Sequence, residues 1–337
     1  MRRPLVVALP LVLLAASLWA AAVHADGQFL ANGLLPPVPV PPDNPQTDAK
    51  VKLGHQLYFE KRISLDNTIS CASCHDPAYG WADPRPVSQG VGGMKGGRNS
   101  PTVLNSAYNG VQFWDGREPD LEHQALGPLQ NPVEMKMSMP MVLDRLRANA
   151  GYVKQFEETF GSGPTEEGVA KAIAAFERTV ISSGSPYDEY LGGDKSAMSP
   201  AAVRGMNLFR GKAHCLPCHS GPNFTDDRFH NLGIGYKGGK FADVGRVEQT
   251  KRVADTGAFK TPTLRSIAET APYLHDGSEK TLEAVVDLYN RGGVRNPHLD
   301  RLMMPLHLTA REKADLVEFL KALTGVPLDI REPALPQ

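Results

Sequence analysis

The 337-residue sequence predicts a mostly α-helical, loop-rich fold built from two domains. Apolar residues recur at helical spacing in several segments, whereas signals for strands are few and short. The 28 prolines and 32 glycines indicate a high loop content. A short cysteine motif occurs twice, at residues 71–75 and 215–219, and this duplication suggests one domain around each copy.

The composition is that of an ordinary globular protein, with 41% hydrophobic and 22% charged residues. It argues against a disordered chain, a collagen and a coiled coil. The formal net charge is -1, and no basic stripe or run occurs along the chain. We therefore expect no nucleic acid among the partners.

The N-terminus has the pattern of an export signal. Two arginines precede an apolar stretch at 5–23, and the triplet VHA at 23–25 is a small-x-small cleavage site. We expect a signal peptide at residues 1–25 and a mature chain that starts at Asp26 in the periplasm. The alternative is an uncleaved membrane anchor, because the stretch approaches spanning length. No later segment is apolar enough to span a membrane, so no stable membrane insertion is expected after cleavage.

The repeated motif has the spacing of a c-type haem attachment site. The sequences CASCH at 71–75 and CLPCH at 215–219 use all four cysteines of the chain. Two thiols three residues apart can bond to the two vinyl groups of one haem, and the histidine that follows can bind the iron. A zinc site or a pair of thiol redox sites would not require that histidine. The residues expected to hold two covalent haem c groups are Cys71, Cys74, His75, Cys215, Cys218 and His219.

Each attachment site is expected to follow a helix. Residues 49–62 carry apolar side chains near helical spacing. Before the second site, Ser199 has the position of an N-cap, Pro200 that of the first helical residue and Gly211 that of a C-terminal stop. A helix that runs into the attachment site is the usual way in which a small cytochrome c covers its haem.

Three further helices are predicted from apolar periodicity. The first follows residue 165, the second follows residue 277 and the third spans 309–323. Thr309 and Glu312 form a capping box for the third. The stripe of the second, which places its tyrosine on the buried face, is Leu282, Val285, Val286 and Tyr289.

The domain boundary is expected in a segment rich in Ser, Gly and Pro, at about 182–199. We predict an N-terminal haem domain at 26–190 and a C-terminal haem domain at 191–337. The tails, up to about residue 46 and after residue 326, are rich in proline, and we expect them to be extended.

Five further stretches resemble the bacterial dihaem cytochrome c peroxidase family, and its MauG-like branch most closely. In chain order they are NSPTVLN at 99–105, FWDGR at 113–117, GPLQNPVEM at 127–135, TPTLR at 261–265 and APYLHDG at 271–277. The resemblance covers about residues 48–326. It implies two cytochrome-c-like domains around an interdomain calcium site. It also implies a first haem that meets peroxide and a second that stores and relays electrons.

The resemblance further implies that the first iron is open. In the peroxidases of the family, a histidine in the loop before the Asn-x-Pro-Thr stretch caps this iron in the resting enzyme. Here that loop, at 88–97, contains no histidine, and Val91 lies about where the histidine would be. We expect an iron that binds peroxide without an activating reduction, with Met94 as the alternative sixth ligand.

Cleavage of the O–O bond needs acid–base help, because a proton must move from one peroxide oxygen to the other. By the resemblance, Glu134 carries this proton, while Gln124 and Pro128 line its pocket. Trp114 matches the family tryptophan between the two haems. Without the resemblance, Glu134 would be interpreted as a solvated loop carboxylate and Trp114 as a core residue.

The second iron is expected to bind a tyrosine. The peroxidases carry a methionine ligand in the helix after 271–277, the MauG-like branch carries a tyrosine, and this chain has Tyr289 there. A phenolate stabilises high-valent iron, unlike a thioether. Periodicity alone favours a buried core tyrosine, and Met303 and Met304 are the alternative ligands.

The calcium site is implied by the resemblance alone. Asn99 would supply a side-chain oxygen, Thr270 and Pro272 would supply backbone carbonyls, and waters would complete the shell. We expect His275 to pack near the second haem without binding iron. The remaining histidines are interpreted as surface or packing residues; they are His55, His123, His214, His230, His298 and His307.

Three functions are compatible with these features. The first is a MauG-like enzyme that uses H₂O₂ to bring both irons to Fe(IV) and then oxidises a tryptophan or tyrosine of a periplasmic partner protein. Ala213 stands where the best-studied branch member has a tryptophan, so the same substrate is not expected. The second is a peroxidase that takes electrons from a small cytochrome c or cupredoxin. The third is an electron-transfer cytochrome, against which the open iron beside Glu134 argues.

Overall fold

The computed structural model describes residues 33–337, so the expected signal peptide at 1–25 lies outside the described residues. The helices are α1 (Asp48–Phe59), α2 (Leu121–Gln130), α3 (Met139–Arg147), α4 (Ala150–Phe160), α5 (Glu166–Glu177), α6 (Pro186–Gly192), α7 (Pro200–Arg210), α8 (Val247–Thr250), α9 (Leu282–Asn290) and α10 (Ala310–Lys321). None of these helices is long and apolar enough to cross a membrane.

Strands are short and few in the described part of the chain. They are β1 (Phe229–His230), β2 (Tyr236–Lys237), β3 (Lys240–Phe241) and β4 (Phe259–Lys260). β1 pairs with β4 and β2 with β3, both antiparallel. The remaining connections are loops and single 3₁₀ turns. The prediction of a mostly helical fold with few short strands is confirmed.

The helix signals in the sequence act through hydrogen bonds at the helix ends. The Ser199 hydroxyl accepts from an amide in the first turn of α7, Pro200 is the first residue of that helix, and Gly211 follows its end. Thr309 and Glu312 form the predicted capping box at the start of α10. Each N-cap of this kind stabilises a helix by about 1 kcal/mol.

In each half, the helix before the attachment motif crosses a second helix at a glycine. A Cβ atom on Gly54 of α1 would lie 1.8 Å from the carbonyl oxygen of Ala172 in α5. A Cβ on Gly205 of α7 would lie 1.9 Å from the carbonyl oxygen of Asp315 in α10. Only glycine permits this approach, so each motif is anchored by the same kind of helix pair.

The two halves also repeat a loop. Segments 112–118 and 273–279 are each closed by an isolated antiparallel bridge between their ends. In both, the second residue has a positive φ, of 65° and 72°. Trp114 and His275 therefore hold corresponding positions in the two halves. This repetition agrees with the duplication suggested by the two cysteine motifs.

The segment 182–199, predicted as a linker, is partly helical because it contains α6. Tyr187 of this helix is fully buried and packs edge-on against Phe224 and Phe319, with ring centroids 5.3 and 5.7 Å away. Its amide donates to the carbonyl of Ala322 at 3.0 Å. The segment thus packs into the core around the second motif, and the boundary near residue 190 stays a prediction.

The last residues, 326–337, have neither helix nor strand, as expected, and they cross the N-terminal half. Side chains of that half donate to their carbonyls. Gln56 donates to Ala334 at 2.9 Å, and Arg62 donates to Pro336 at 2.8 Å. Leu328 and Ile330 pack on an apolar cluster of the same half. This C-terminal tail therefore connects the two halves of the molecule.

Candidate functional site

Both attachment motifs open into one cavity of about 940 Å³, near the upper end of the range for ligand sites. Its walls come from both halves of the chain. The predicted site residues that line it are Cys71, Cys74, His75, Asn99, Trp114, Gln124, Pro128, Glu134, Cys215, Cys218, His219, Thr270, Pro272, Tyr289, Met303 and Met304. The fold thus brings residues predicted from distant parts of the sequence to one place.

Both motif histidines are held as axial ligands would be. Nδ1 of His75 lies 2.9 Å from the carbonyl of Pro101, and Nδ1 of His219 lies 3.0 Å from that of Phe224. A carbonyl can only accept, so Nδ1 is the donor in each ring and Nε2 is left to bind iron. Burial lowers the pKa of both histidines, that of His219 to about 4, so both rings are neutral.

None of the four cysteines forms a disulfide, so all four are available for thioether bonds. In each motif the histidine amide donates to the carbonyl of the first cysteine at 2.9 Å, which forms a tight turn. Burial raises the pKa of Cys74 to about 11 and that of Cys215 to about 12. A redox-active thiol needs a lowered pKa, so these environments argue against dithiol chemistry. The donor set and the size of the cavity fit two haem c groups.

Glu134 lies in the wall of the cavity near the first motif, with Gln124 and Pro128 of α2. The side-chain amide of Asn131 donates to its carboxylate. Burial raises the pKa of Glu134, against the opposing effects of the Arg117 charge and the Asn131 hydrogen bond. A raised pKa makes a carboxylate a better proton acceptor, and the carboxyl group can then return that proton.

The loop at 88–97 packs against Glu134 and contributes Ser88, Gly90, Gly96 and Gly97 to the cavity wall. A Cβ on Gly90 would lie 2.5 Å from the Glu134 carbonyl oxygen, and the amide of Val91 donates to the same oxygen at 2.9 Å. Neither Val91 nor Met94 is among the residues that line the cavity. This placement argues against Met94 as a sixth ligand of the first iron.

Two aromatic rings lie between the halves. The ring centroids of Trp114 and His275 are 6.4 Å apart, and His275 stacks on Phe259 at 3.6 Å. The Trp114 indole donates to the Asn99 carbonyl at 2.9 Å, and the Asn99 amide donates to the His275 carbonyl at 2.7 Å. Burial lowers the pKa of His275 to about 4. His275 therefore packs as a neutral ring against Trp114, in the wall shared by both halves.

A cluster of charged side chains stabilises this wall and gives a structural role to the Asp and Arg of the FWDGR stretch. Arg98 donates to Asp115 at 2.8 Å and to Asp243 at 2.6 Å. Asp115 also accepts from Arg117 at 2.9 Å. Sequence reasoning missed Arg98 and Asp243, although Arg98 directly precedes a family-like stretch. The cluster ties Trp114 and Arg117 to the C-terminal half.

The predicted calcium ligands lie in two segments that are hydrogen-bonded to each other, because the backbone amide of Asn99 donates to the carbonyl of His275. The side-chain nitrogen of Asn99, Nδ2, donates to the carbonyls of Asp83 and Arg85. The side-chain oxygen, Oδ1, is then the atom that could bind a cation. Thr270 and Pro272 belong to the segment that Asn99 contacts through His275. Neutral oxygen donors suit Ca²⁺, and the site stays a prediction.

Three candidate ligands for the second iron line the cavity. Tyr289 lies on α9, and burial raises the pKa of its phenol, so binding to a metal would be needed to ionise it. Met303 and Met304 lie in the loop before α10. Met304 exposes 47% of its surface and is the least enclosed of the three.

Glu177 is a cavity residue that sequence reasoning missed. It is only 5% exposed, and burial raises its pKa to about 8. Its neighbour Arg178 is directed elsewhere, to Glu122 at 2.8 Å. A signal was present, since Glu177 follows Ile173 by four residues and falls on the apolar stripe of α5.

His230 and Lys260 are two further charged residues in the wall around the second motif. His230 bonds to Asp226 at 3.0 Å and to Asp300 at 2.7 Å. Lys260 is 7% exposed, and its ammonium lies 3.6 Å from Asp227. His230, expected to be a surface or packing residue, is 15% exposed and joins Asp226 to Asp300 beside Cys218.

Comparisons with known proteins agree with this geometry. A family model for di-haem cytochrome c peroxidase matches residues 48–196. The chain is 43% identical to methylamine utilization protein MauG of Methylorubrum extorquens, over 89% of this chain and 85% of that protein. It is 39% identical to cytochrome-c peroxidase IdrP1 of Pseudomonas sp. (strain SCT), over 99% and 96% of the two chains.

A solved structure, that of a MauG-like protein associated with microbial copper homeostasis, superposes with a TM-score of 0.81. It is 36% identical and covers 86% of this chain and 93% of its own. The similar proteins thus include some named MauG and some named peroxidases.

Proposed function

This chain belongs to the dihaem cytochrome c peroxidase family, and from that premise we propose that it is a MauG-like enzyme of the periplasm. It uses H₂O₂ to oxidise tryptophan or tyrosine residues of a partner protein by long-range electron transfer. The observation that carries the proposal is the position of the loop at 88–97. The loop lines the cavity with one serine and three glycines, Ser88, Gly90, Gly96 and Gly97, and not with Val91 or Met94, so it brings no histidine or methionine ligand that would keep peroxide from the first iron.

The residues of the cavity have separate tasks in this proposal. The haems, when bound, supply the reaction with H₂O₂ and store its two oxidising equivalents. Glu134 takes a proton from the peroxide and returns it to the leaving oxygen, in a pocket formed with Gln124 and Pro128. Trp114 relays electrons between the halves, and Tyr289 binds the second iron. Asn99, Thr270 and Pro272 hold a Ca²⁺ ion beside this route.

A second function is supported by one observation. Met303 lines the cavity, and a methionine ligand of the second iron would suit a peroxidase that reduces H₂O₂ to water. Its electrons would come from a small cytochrome c or a cupredoxin. The relatives named as peroxidases, such as IdrP1, agree with this alternative.

The deciding experiment is to add H₂O₂ to the diferric protein and record its optical, EPR and Mössbauer spectra. We expect the ferric EPR signals of both haems to disappear without prior reduction. If the protein does not react until one haem is reduced, the MauG-like proposal is wrong and the peroxidase alternative is favoured. The variant Glu134→Gln should react about 100-fold more slowly or worse, because it cannot carry the proton.

The ligand of the second iron needs its own variant. In Tyr289→Met, the first haem should still react with H₂O₂ while the ferric signal of the second haem persists. The matched control is Tyr79→Phe, which alters a tyrosine that is 48% exposed and should behave like the unaltered protein. If Tyr289→Met loses both ferric signals as the unaltered protein does, Tyr289 does not have the proposed role.

A further inference from the structure

We propose that the loop at 291–304 is a docking surface for an acidic partner protein. This proposal rests on the proposed function, because it describes the chemistry of the partner that exchanges electrons with the second haem. The loop follows α9 and forms part of the cavity wall through Leu302, Met303 and Met304. It therefore lies between the cavity and the solvent.

The centre of this surface is apolar. Val294, Leu302 and Met304 are 37%, 46% and 47% exposed. Ten large hydrophobic residues of the described part of the chain are exposed, and three of them lie within the fourteen residues of this loop. Single exposed apolar residues are common in soluble proteins, whereas a cluster marks a contact site.

The rim of this surface is basic. Arg291, Arg295 and Arg301 are exposed, and none of them has a carboxylate partner within 4.0 Å among residues 33–337. The loop contains one acidic residue, Asp300, which is already bound to His230 at 2.7 Å. Three arginines and one aspartate give the loop a net charge of +2, although the whole chain has a net charge of -1.

The loop folds back on itself, and on this basis we place its apolar and basic residues on one surface. Its two limbs touch where a Cβ on Gly292 would lie 2.8 Å from the backbone of Met304. Beyond the loop, the amide of Leu306 donates to the carbonyl of Asn290 at 3.1 Å, which closes its base. Asp300 anchors the middle through His230. We call the set of Arg291, Val294, Arg295, Arg301, Leu302 and Met304 the arginine-rimmed patch.

The partner that fits this patch has an apolar contact surface surrounded by carboxylates. Interfaces bury an apolar centre and leave charges at the rim, where they accelerate association more than they strengthen it. Opposite rim charges raise the association rate, and the rate then falls as salt is added. A partner with a basic rim would be repelled by the three unpaired guanidinium groups.

The test uses the haem-loaded protein, fully reduced with dithionite and then freed of reductant, without peroxide. Oxidised plastocyanin is the acidic probe, and ferric mitochondrial cytochrome c is the basic probe. One electron passes from a ferrous haem of the protein to the copper or iron of the probe. We expect the bimolecular rate constant with plastocyanin to fall with rising ionic strength. The rate constant with cytochrome c should rise or stay level as the ionic strength rises.

The variant with Arg291→Glu, Arg295→Glu and Arg301→Glu should react at least about tenfold more slowly with plastocyanin at low salt, and faster with cytochrome c. The matched control carries Lys52→Glu, Lys61→Glu and Lys154→Glu, the same change in charge on exposed residues of the N-terminal half. If both triple variants respond alike, net charge and not this patch governs association, and the docking proposal is wrong.

Failure of the docking proposal can be told apart from failure of the proposed function. The reaction of the diferric arginine variant with H₂O₂, measured without any probe, should equal that of the unaltered protein. If the unaltered protein fails in that reaction while the probes still discriminate between the two triple variants, only the proposed function is lost.

Discussion

At the scale of single residues, two carboxyl groups of the cavity differ in their surroundings. Glu134 receives a hydrogen bond from Asn131 and feels the charge of Arg117. Glu177 is more deeply buried, and the guanidinium next to it in the chain is paired with Glu122. Burial therefore raises the pKa of Glu177 to about 8. Glu134 suits proton transfer, whereas Glu177 is a protonated wall residue at neutral pH.

The variant Glu177→Gln should change how stability depends on pH. The carboxyl group has a pKa near 4.5 in the unfolded chain and about 8 in the folded one, so the folded state keeps the proton up to a higher pH. The free energy of unfolding of the unaltered protein should thus fall between about pH 4.5 and 8, by at most about 1.4 kcal/mol per pH unit from this group. Glutamine cannot ionise, so the free energy of unfolding of the variant should rise relative to that of the unaltered protein as the pH increases across this range.

Denaturant unfolding from pH 5 to pH 9 measures this difference. The control Glu158→Gln changes an exposed carboxylate of α4 and should follow the unaltered protein. Parallel stability curves for Glu177→Gln and the unaltered protein would show that Glu177 is ionised or solvated in the folded state.

At the scale of elements, β1 is too short to be fixed by its backbone hydrogen bonds to β4 alone. It spans two residues, and His230 at its end is fixed by Asp226 and Asp300. Burial lowers the pKa of His230, but the two carboxylates outweigh it and raise the pKa to about 12. This ion triad joins the strand to the loop that carries the arginine-rimmed patch.

The variant His230→Gln should have a free energy of unfolding lower by about 3 kcal/mol, because it leaves two partly buried carboxylates without their cation. The folded pKa lies above the unfolded value of 6.5, so this stabilisation is complete below about pH 6.5 and is lost as the pH rises towards 12. The difference from the unaltered protein should therefore be largest near pH 6 and smaller at pH 9. Denaturant titrations at both values measure it.

The control His123→Gln removes a histidine that pairs with Asp120 on the surface, where it is 63% exposed. Its effect should be small, since exposed pairs contribute little. An equal loss in both variants would mean that the triad at His230 has no special structural role.

At the scale of the whole molecule, the two halves are related by repeated features and joined by the C-terminal tail. Each half has a helix pair that crosses at a glycine and a closed loop that presents Trp114 or His275. The tail, 326–337, starts in the C-terminal half and covers apolar residues of the N-terminal half. The half that holds the first haem site is therefore packed in part by the last residues of the chain.

A chain that ends after Val326 should lose about 3 kcal/mol of stability, from three hydrogen bonds and the apolar contacts of two side chains. Hydrogen exchange should increase at 55–62 and 149–152, which the tail contacts, and stay unchanged in α7 and α10. The control Arg331→Ala alters a side chain of the tail that is 85% exposed. Unchanged exchange at 55–62 in the shortened chain would show that the tail does not support this half.

The sequence by itself determined the covalent chemistry and the local structure. The CASCH and CLPCH spacings imply haem attachment, and Ser199, Pro200 and Thr309 mark helix starts, because both depend on residues a few positions apart. Only the tertiary structure decided that Met94 lies off the cavity, that Glu177 is buried without a cation, and that three arginines surround an exposed apolar patch. The spacing of α5 placed Glu177 on an apolar stripe, but only the fold pairs Arg178 with Glu122 and leaves Glu177 without that cation. Met94 lies off the cavity because its loop bonds to the backbone of Glu134, and the patch is exposed because no other part of the described chain covers it. Burial and charge pairing arise only when distant parts of the chain meet, so spacing alone could not specify them.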